Sequence, residues 1–460
     1  MKNLFFCLVG AMLFALAACS SEKADPEFYL EKSAFEVEGE GGSITVVAMH
    51  NVDYVVKVGA SWITHKGTKG LNSGEEVFAV AENPDNDPRE GSILFVSEEA
   101  GKSFSVTVKQ LGLNAIFYTS FDNKVVEPRV QTAFGANIVS NTYSNGKGVI
   151  KFSGKVTEVG EEGFYNKGAL TSIDLPNTIV KIGKKAFFGC EGITELVIPQ
   201  GVTEIGEQAF DYCTALKKIT LPSNITQIKA KTFYDCHNLT EIAIPAAVTA
   251  IGESAFMLCV NLEKINLPQG LVSLGTNAFG SCRALKEITL PSGITTIEKR
   301  TFSNCASLSS IGIPQGVTSI GESAFSGCGS LASVSLPANV NTIGKMAFAF
   351  MPVTKLEIPE GVKIFENNTV YSCDKLVELN LPSTLTEFRD ELAGCESLAS
   401  IRILASEPPL MAPGAPSYIS ELWQGLDYSK LKIYVPAASV ETYKNAASWQ
   451  KYVELISAIE

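Results

Sequence analysis

Prolines stand at Pro176, Pro199, Pro222, Pro245, Pro268, Pro291, Pro314 and Pro337, each 23 residues after the one before, and Pro359 and Pro382 follow at steps of 22 and 23. Cysteines keep the same step at Cys190, Cys213, Cys236, Cys259, Cys282, Cys305 and Cys328. Met351 fills the next slot, and Cys373 and Cys395 continue the row. A fixed period of this length calls for stacked, nearly identical units. The unit reads Ala-Phe-x-x-Cys-x-x-Leu-x-x-Ile-x-Leu-Pro-x-x-Val-x-x-Ile-Gly-x-x. In the copy at residues 186–208, Phe187, Cys190, Ile193, Leu196, Ile198, Val202 and Ile205 take the apolar slots. One unit has too few apolar residues to bury them alone, whereas stacked units share a continuous core.

Within the unit, Ile-x-Leu-Pro has the two-residue period of a strand and ends at a residue that cannot donate the next ladder bond. Ala-Phe-x-x-Cys suits a short helical turn on the opposite side. Ten rungs carry the proline. A partial rung with Ile150, Phe152, Val156 and Val159 in register precedes them, and a last one ends at residues 398–404. This unit closely resembles the BspA-like leucine-rich repeats of bacterial surface proteins, over about residues 149–404. The resemblance implies a leucine-rich-repeat solenoid and a part in adhesion or in binding host or partner proteins; the spacing alone gives only the solenoid.

Residues 27–112 are patterned differently. Short alternating runs at residues 43–48, 54–58, 77–80, 93–96 and 104–108, separated by Gly39, Gly41, Gly42, Gly74 and the Asn83-Pro84-Asp85 cluster, predict a small β-sandwich. Ala60-Ser61-Trp62-Ile63, residues 83–91, and the stretch from Phe104 through Gln110 to Gly112 resemble the BACON domain. That resemblance implies an immunoglobulin-like fold and either sugar binding or a spacer role. Trp62 offers a ring for sugar stacking, but core packing is the commoner use of such a residue. Asp85, Asn86 and Asp87 do not complete a calcium loop and read as a turn.

Lys2 followed by an apolar run over residues 4–18 fits an export signal and is short for a membrane span. The run ends Leu16-Ala17-Ala18-Cys19, which resembles a bacterial lipobox. The resemblance implies cleavage before Cys19 and lipid attachment to it, hence an outer-membrane lipoprotein exposed at the cell surface and held to the membrane by the lipid alone. Glu22 and Asp25 resemble the acidic stretch of surface-exported lipoproteins. The chain thus divides into a signal peptide (1–18), a tether (19–26), a BACON-like sandwich (27–112), a linker and N-terminal cap (113–148), repeats (149–404) and a C-terminal cap (405–460). In that last part Pro408, Pro409, Pro413 and Pro416 break the period, residues 431–435 read as a strand and 439–446 as a helix, and Trp449 and Tyr452 close the core.

The formal net charge of −12, with no basic cluster, argues against nucleic acid. His50, His65 and His237 are far apart in sequence, and no metalloprotease, nucleophile-elbow or phosphate-loop motif is present. A non-enzymatic chain without cofactor or metal is expected. One cysteine per rung gives no zinc pair and no distinct disulfide pairing, so buried free thiols are favoured. The residue between the two apolar strand positions should face outward. Down the rungs this column reads Asp174, Val197, Thr220, Ala243, Asn266, Thr289, Gly312, Ser335, Glu357, Asn380 and Arg402. Its uncharged middle, Thr220, Ala243, Asn266, Thr289, Gly312 and Ser335, is the candidate binding surface; the plainer reading is β-compatible surface. A second column, Thr203, Thr226, Thr249, Thr295, Thr318 and Thr386, reads as a structural ladder. The expected partners are host or bacterial surface proteins. Glycans are the alternative, set second because Phe188, Tyr212, Tyr234 and Tyr371 do not keep one column.

Overall fold

The computed structural model describes residues 25–68, 74–83, 85, 86, 88–411, 423 and 426–460. The signal peptide, Cys19, Glu22 and the residues Pro84, Asp87, Pro413 and Pro416 lie outside them. Two compact units divide between Leu113 and Asn114.

The first unit is a sandwich of eight strands: β1 (Phe28–Leu30), β2 (Ala34–Val37), β3 (Gly42–His50), β4 (Val55–Val58), β5 (Ile63–Thr68), β6 (Glu75–Val80), β7 (Arg89–Ser97) and β8 (Lys102–Gln110). One sheet runs β1-β3-β6-β5 and the other β2-β8-β7-β4. Alternation along β3, β6, β7 and β8 sends Val46, Phe78, Ile93, Phe95, Val106 and Val108 into a shared core. The sequence pattern missed β1, β2 and β5, which are short or carry polar residues on both faces. Gln110 is fully buried, yet its amide donates to the carbonyls of Ala81 (2.8 Å) and of Glu38 and Gly39 (3.2 Å each), so no polar group is left unmet.

The second unit is a solenoid whose rungs have three laddered sides. Short parallel strands such as Glu195–Val197 against Lys218–Thr220, and Glu241–Ala243 against Lys264–Asn266, make the first side. Two-residue strands such as Lys181–Ile182 against Glu204–Ile205 make the second. The Ala-Phe-x-x-Cys side is tighter than a helical turn. Alternate backbone N–H groups donate to the next rung, from Phe187 to Ala209 O (2.8 Å) and from Gly189 to Asp211 O (2.8 Å). Two left-handed residues per rung, such as Lys185 (φ 53°) and Gly189 (φ 66°), turn these groups along the stack.

The unit's phenylalanines form one interior column. From Phe164 through Phe187, Phe210, Phe233, Phe256, Phe279, Phe302 and Phe325 to Phe348, ring centroids lie 5.3 to 6.0 Å apart and planes within 14° of parallel. The repeat cysteines make a parallel column, free and buried. Each thiol donates to a phenylalanine or valine carbonyl of the preceding rung, as from Cys213 to Phe187 O (3.2 Å) and from Cys395 to Val370 O (3.2 Å). Met351 fills the volume without a donor.

The ends differ from the sequence reading. Ile150 and Phe152 are not a partial rung. They lie in β11 (Lys147–Phe152), which pairs antiparallel with β10 (Ile138–Ser144) and with β9 (Ile116–Ser120), and β9 runs antiparallel to Leu170–Asp174. Reversing strand direction ends the parallel stack. Val156 and Val159 do keep the register, with Glu158–Val159 beside Lys181–Ile182. At the other end the period in sequence fails after Ala405, but the ladder continues. Lys432–Val435 and Ile456–Ala458 add two parallel strands, with a helix at Val440–Asn445 before the second. Trp449 and Tyr452 are buried against Trp423 and Tyr443 and close the core.

Burial pushes the repeat thiols well above their usual range, Cys190 and Cys328 to about 12. The folded chain should therefore resist iodoacetamide near neutral pH. After unfolding, mass spectrometry should find every repeat cysteine alkylated without prior reduction. Disulfide-linked peptides from successive rungs would refute this.

Candidate functional site

The first strand side presents a nearly flat outward face, because a three-residue strand points its middle residue inward and its flanks outward. Ile219, Ile242, Ile265 and Ile288 are buried, and Thr220, Ala243, Asn266 and Thr289 beside them are exposed. Gly312 and Ser335 are exposed as well; Ser335 holds the same place in a rung to which no strand is assigned. Cα register sets Ala243 opposite Asn266, and Thr289 opposite Gly312.

The outward column on the other flank of the same strands was not singled out in the sequence. It reads Glu195, Lys218, Glu241, Lys264 and Glu287, alternating in sign. Glu195 faces Lys218, Glu241 faces Lys264, and Lys264 faces Glu287 across neighbouring rungs. Such opposed pairs support the sheet. Lys218, Glu241 and Lys264 also join Thr220, Ala243 and Asn266 around a shallow depression of about 300 Å³. The signal was available at the same 23-residue step, one position before each inward strand residue.

On the second side, Thr203, Thr249, Thr318 and Thr386 hydroxyls reach the carbonyls of Val180, Thr226, Thr295 and Lys363 at 3.5, 3.4, 3.4 and 3.0 Å. The threonine column thus serves the ladder.

The turn side holds a feature that the sequence columns concealed. Tyr165 stacks on Phe188 (4.8 Å between centroids, 9° between planes), Phe188 touches Tyr212 (5.5 Å, 48°), and Tyr212 touches Tyr234 (5.8 Å, 46°). Tyr165, Phe188 and Tyr234 share one slot of the turn and Tyr212 takes the next, so no single column contains all four, yet in space they are continuous. Tyr371 lies apart, against Phe350. Asp211 occupies the slot that holds Phe188 and Tyr234 in neighbouring rungs. It is 2% exposed; its Oδ2 accepts from Gln208 Nε2 at 2.8 Å, and its Oδ1 has no partner. Asp235 in the next rung is paired with His237.

In the sandwich, Trp62 is half-buried against the core, and the Arg89 guanidinium lies 4.5 Å over its ring, so it is no open platform for a sugar. Of the other two histidines, one meets a buried carboxylate there. His65 Nε2 lies 2.6 Å from Glu76 Oε2, Tyr54 donates to Glu76 Oε1 at 2.7 Å, and His50 packs edge-on against Tyr54. No cluster of metal-ligating side chains is found among the described residues, nor a helix long and apolar enough to cross a membrane.

The model of the BspA-type leucine-rich-repeat region matches residues 137–261, 249–376 and 295–407 in six copies, more than half of the chain. The model of the BACON domain matches residues 52–111. The chain therefore belongs to the BspA-type leucine-rich-repeat proteins and carries a BACON domain ahead of its repeats. Among solved structures it is similar to a leucine-rich-repeat protein from Bacteroides ovatus, with 27% identity over 60% of this chain and 75% of that one and a TM-score of 0.48. A leucine-rich cell surface protein from Faecalibacterium prausnitzii matches at 25% identity over 62% of this chain and 89% of that one, with a TM-score of 0.40. A leucine-rich-repeat protein of T. pallidum matches at 29% identity over 38% of this chain and 71% of that one, with a TM-score of 0.31. No curated protein sequence matches.

Burial holds the Asp211 carboxyl up at about 6, against an ordinary 3.8. Its folded form keeps a proton to higher pH than its unfolded form, so ionising it costs stability. That cost is absent below about pH 4, grows between about pH 4 and 6, and is complete above. Asp211→Asn should thus leave stability nearly unchanged near pH 4 and raise it near pH 7, by at most about 3 kcal/mol. Urea unfolding of both proteins at the two pH values checks this; an equal gain at both would contradict it.

Proposed function

We propose that the chain is a lipid-anchored protein of the bacterial outer membrane, exposed at the cell surface, which holds a partner protein on the flat face of its repeat sheet. The reading is of a binding scaffold rather than an enzyme. The observation that carries it is the exposed column Thr220, Ala243, Asn266, Thr289, Gly312 and Ser335 on successive rungs. Short side chains on a rigid sheet lose little rotamer freedom when covered. The alternating charges beside them give a partner both donors and acceptors for register. A stable protein contact needs about 800 Å² from each side, which several adjacent rungs supply without long loops. Membership of the BspA-type family and the accompanying BACON domain support a surface-binding role.

The anchor is assigned to Cys19, at the end of the Leu16-Ala17-Ala18-Cys19 sequence. Cys19→Ala should move the protein from the membrane fraction to the soluble fraction. If the variant still partitions into detergent with the membrane, the anchor lies elsewhere.

Partner binding should follow the solenoid. Against immobilised host matrix and bacterial surface proteins, residues 114–460 should retain what the full chain captures, and residues 25–113 should capture nothing. Thr220→Arg, Asn266→Arg and Thr289→Arg together should weaken capture by roughly tenfold or more, since long charged groups hold a flat partner away. All three sites are exposed, so the melting temperature should stay unchanged. Undiminished capture by the triple variant would mean that another surface binds.

A further inference from the structure

We propose that the turn side of the first repeats, along Tyr165, Phe188, Tyr212 and Tyr234, is a second binding site, which takes a neutral polysaccharide chain. It is separate from the strand face and does not depend on protein binding there.

The aromatic line stays continuous across a change of slot. Where the Phe188 slot passes to Asp211, the next ring comes from the following residue, Tyr212, which sits in the left-handed region at φ 60°. Other rungs fill that left-handed place with small or polar residues such as Gly189, Asp235, Ser281, Asn304 and Gly327, and twice with a bulky one, Leu258 and Phe350. The slot thus accepts large side chains, and here it supplies the ring that joins Phe188 to Tyr234. Tyr212 is also 41% exposed, and its plane is turned by 46° and 48° from its neighbours, so neither covers it as Tyr165 and Phe188 cover each other.

Polar groups around the rings select the ligand class. Asp211 Oδ1 is an acceptor buried in this line without a donor, an arrangement that leaves desolvation uncompensated. That oxygen is itself closed to solvent, so the groups open to a ligand are those at the rim. The exposed His237 beside Asp235 and the lysines Lys185 and Lys231 supply donors at the rim. Arg129 lies 4.3 Å over Tyr165, Lys185 5.8 Å over Phe188 and Lys231 5.9 Å over Tyr234. Cations so placed cover ring faces, as Arg89 covers that of Trp62, so the ring chiefly open to a sugar is the 41% exposed Tyr212. The two carboxylates offset those cations and leave no strong field of one sign to draw in a charged polymer. A sugar chain has apolar C–H faces for the rings and hydroxyls that both donate and accept. Its linear repeat suits rings that recur once per rung.

The full chain should be retarded in native gels containing a neutral polysaccharide, tested separately with xyloglucan, hydroxyethylcellulose and galactomannan; polygalacturonate serves as the charged control. At least one neutral polymer should retard it. Tyr212→Gly removes the ring while placing in that slot the residue its backbone favours, so it should fold and melt like the parent. It should lose roughly tenfold or more in affinity, as should Tyr234→Ala. The triple arginine variant of the strand face should be retarded like the parent, which separates this site from the proposed protein surface. Retardation by none of the three neutral polymers, retardation by polygalacturonate alone, or undiminished affinity in Tyr212→Gly would overturn the proposal.

Discussion

Backbone hydrogen bonding from rung to rung is the constraint on which the rest of this solenoid depends. A rung of about two dozen residues buries its apolar side chains only if another rung lies on each side of it. The three ladders bring this about with groups that every residue carries. On the second side the later rung donates to the earlier, as from Gly206 to Ile182 O; on the turn side the earlier donates to the later, as from Phe187 to Ala209 O. Each rung therefore meets its neighbours' needs in both directions, and only the terminal rungs are left wanting. At the C-terminal end the stretch from Phe388 to Cys395 is one residue shorter than that from Phe365 to Cys373. There the buried carboxylate of Asp390 accepts from the N–H groups of Val370 in the preceding rung (3.1 Å) and of Leu392 in its own (2.8 Å), in place of ladder carbonyls.

Such close stacking fixes side chains by contact with neighbouring backbone. A Cβ at Gly206 would come within 2.4 Å of Lys184 N, and one at Gly252 within 2.7 Å of Ala230 N. Besides Arg389 in the shortened rung, three rungs carry Lys229, Glu298 or Glu366 in the glycine slot. Each of these also replaces the alanine three residues later with Thr232, Thr301 or Thr369. The threonine hydroxyls donate to the carbonyls of those same residues at 2.8, 2.8 and 2.7 Å. The two exceptions in each of these three rungs are thus one local solution: a side-chain bond reinforces the turn that the glycine would have made.

The inward positions were legible in the sequence because all of them obey one rule. Phe, Cys, Leu, Ile and Val recur at the step of 23 since each must meet its own copy in the adjacent rung. The ends were less legible for the same reason. Ile150 stands 23 residues before Ile173 and imitates a rung, yet β9 comes between them because it brings an antiparallel edge that parallel neighbours cannot supply. Lys432–Val435 completes a rung after a long aperiodic segment, since the ladder asks only for a strand in register and not for a fixed chain length. Spacing cannot reveal contacts between unlike slots. The line from Phe188 to Tyr212 to Tyr234 changes slot twice, and only the geometry shows the rings touching.

This separation of inside from outside lets one solenoid carry two unlike surfaces. Residues on the strand face are short and stand beside charges of alternating sign, so that face is flat and polar. Residues on the turn side protrude, because αL turns leave room between rungs for large rings. Neither pattern alters the phenylalanine column beneath, whose planes stay parallel through the rungs bearing Phe188, Tyr212 and Tyr234. A substitution on one outward face therefore need not be felt on the other, for between them lies a core whose packing is set by its own repeat. The cost falls on single residues instead. Asp211 has an oxygen without a partner, and it adjoins Tyr212, whose left-handed slot recurs from rung to rung. Glu366 and Asn380 each keep one such oxygen too, so these costs are spread over outward side chains while the repeating core beneath them is left intact.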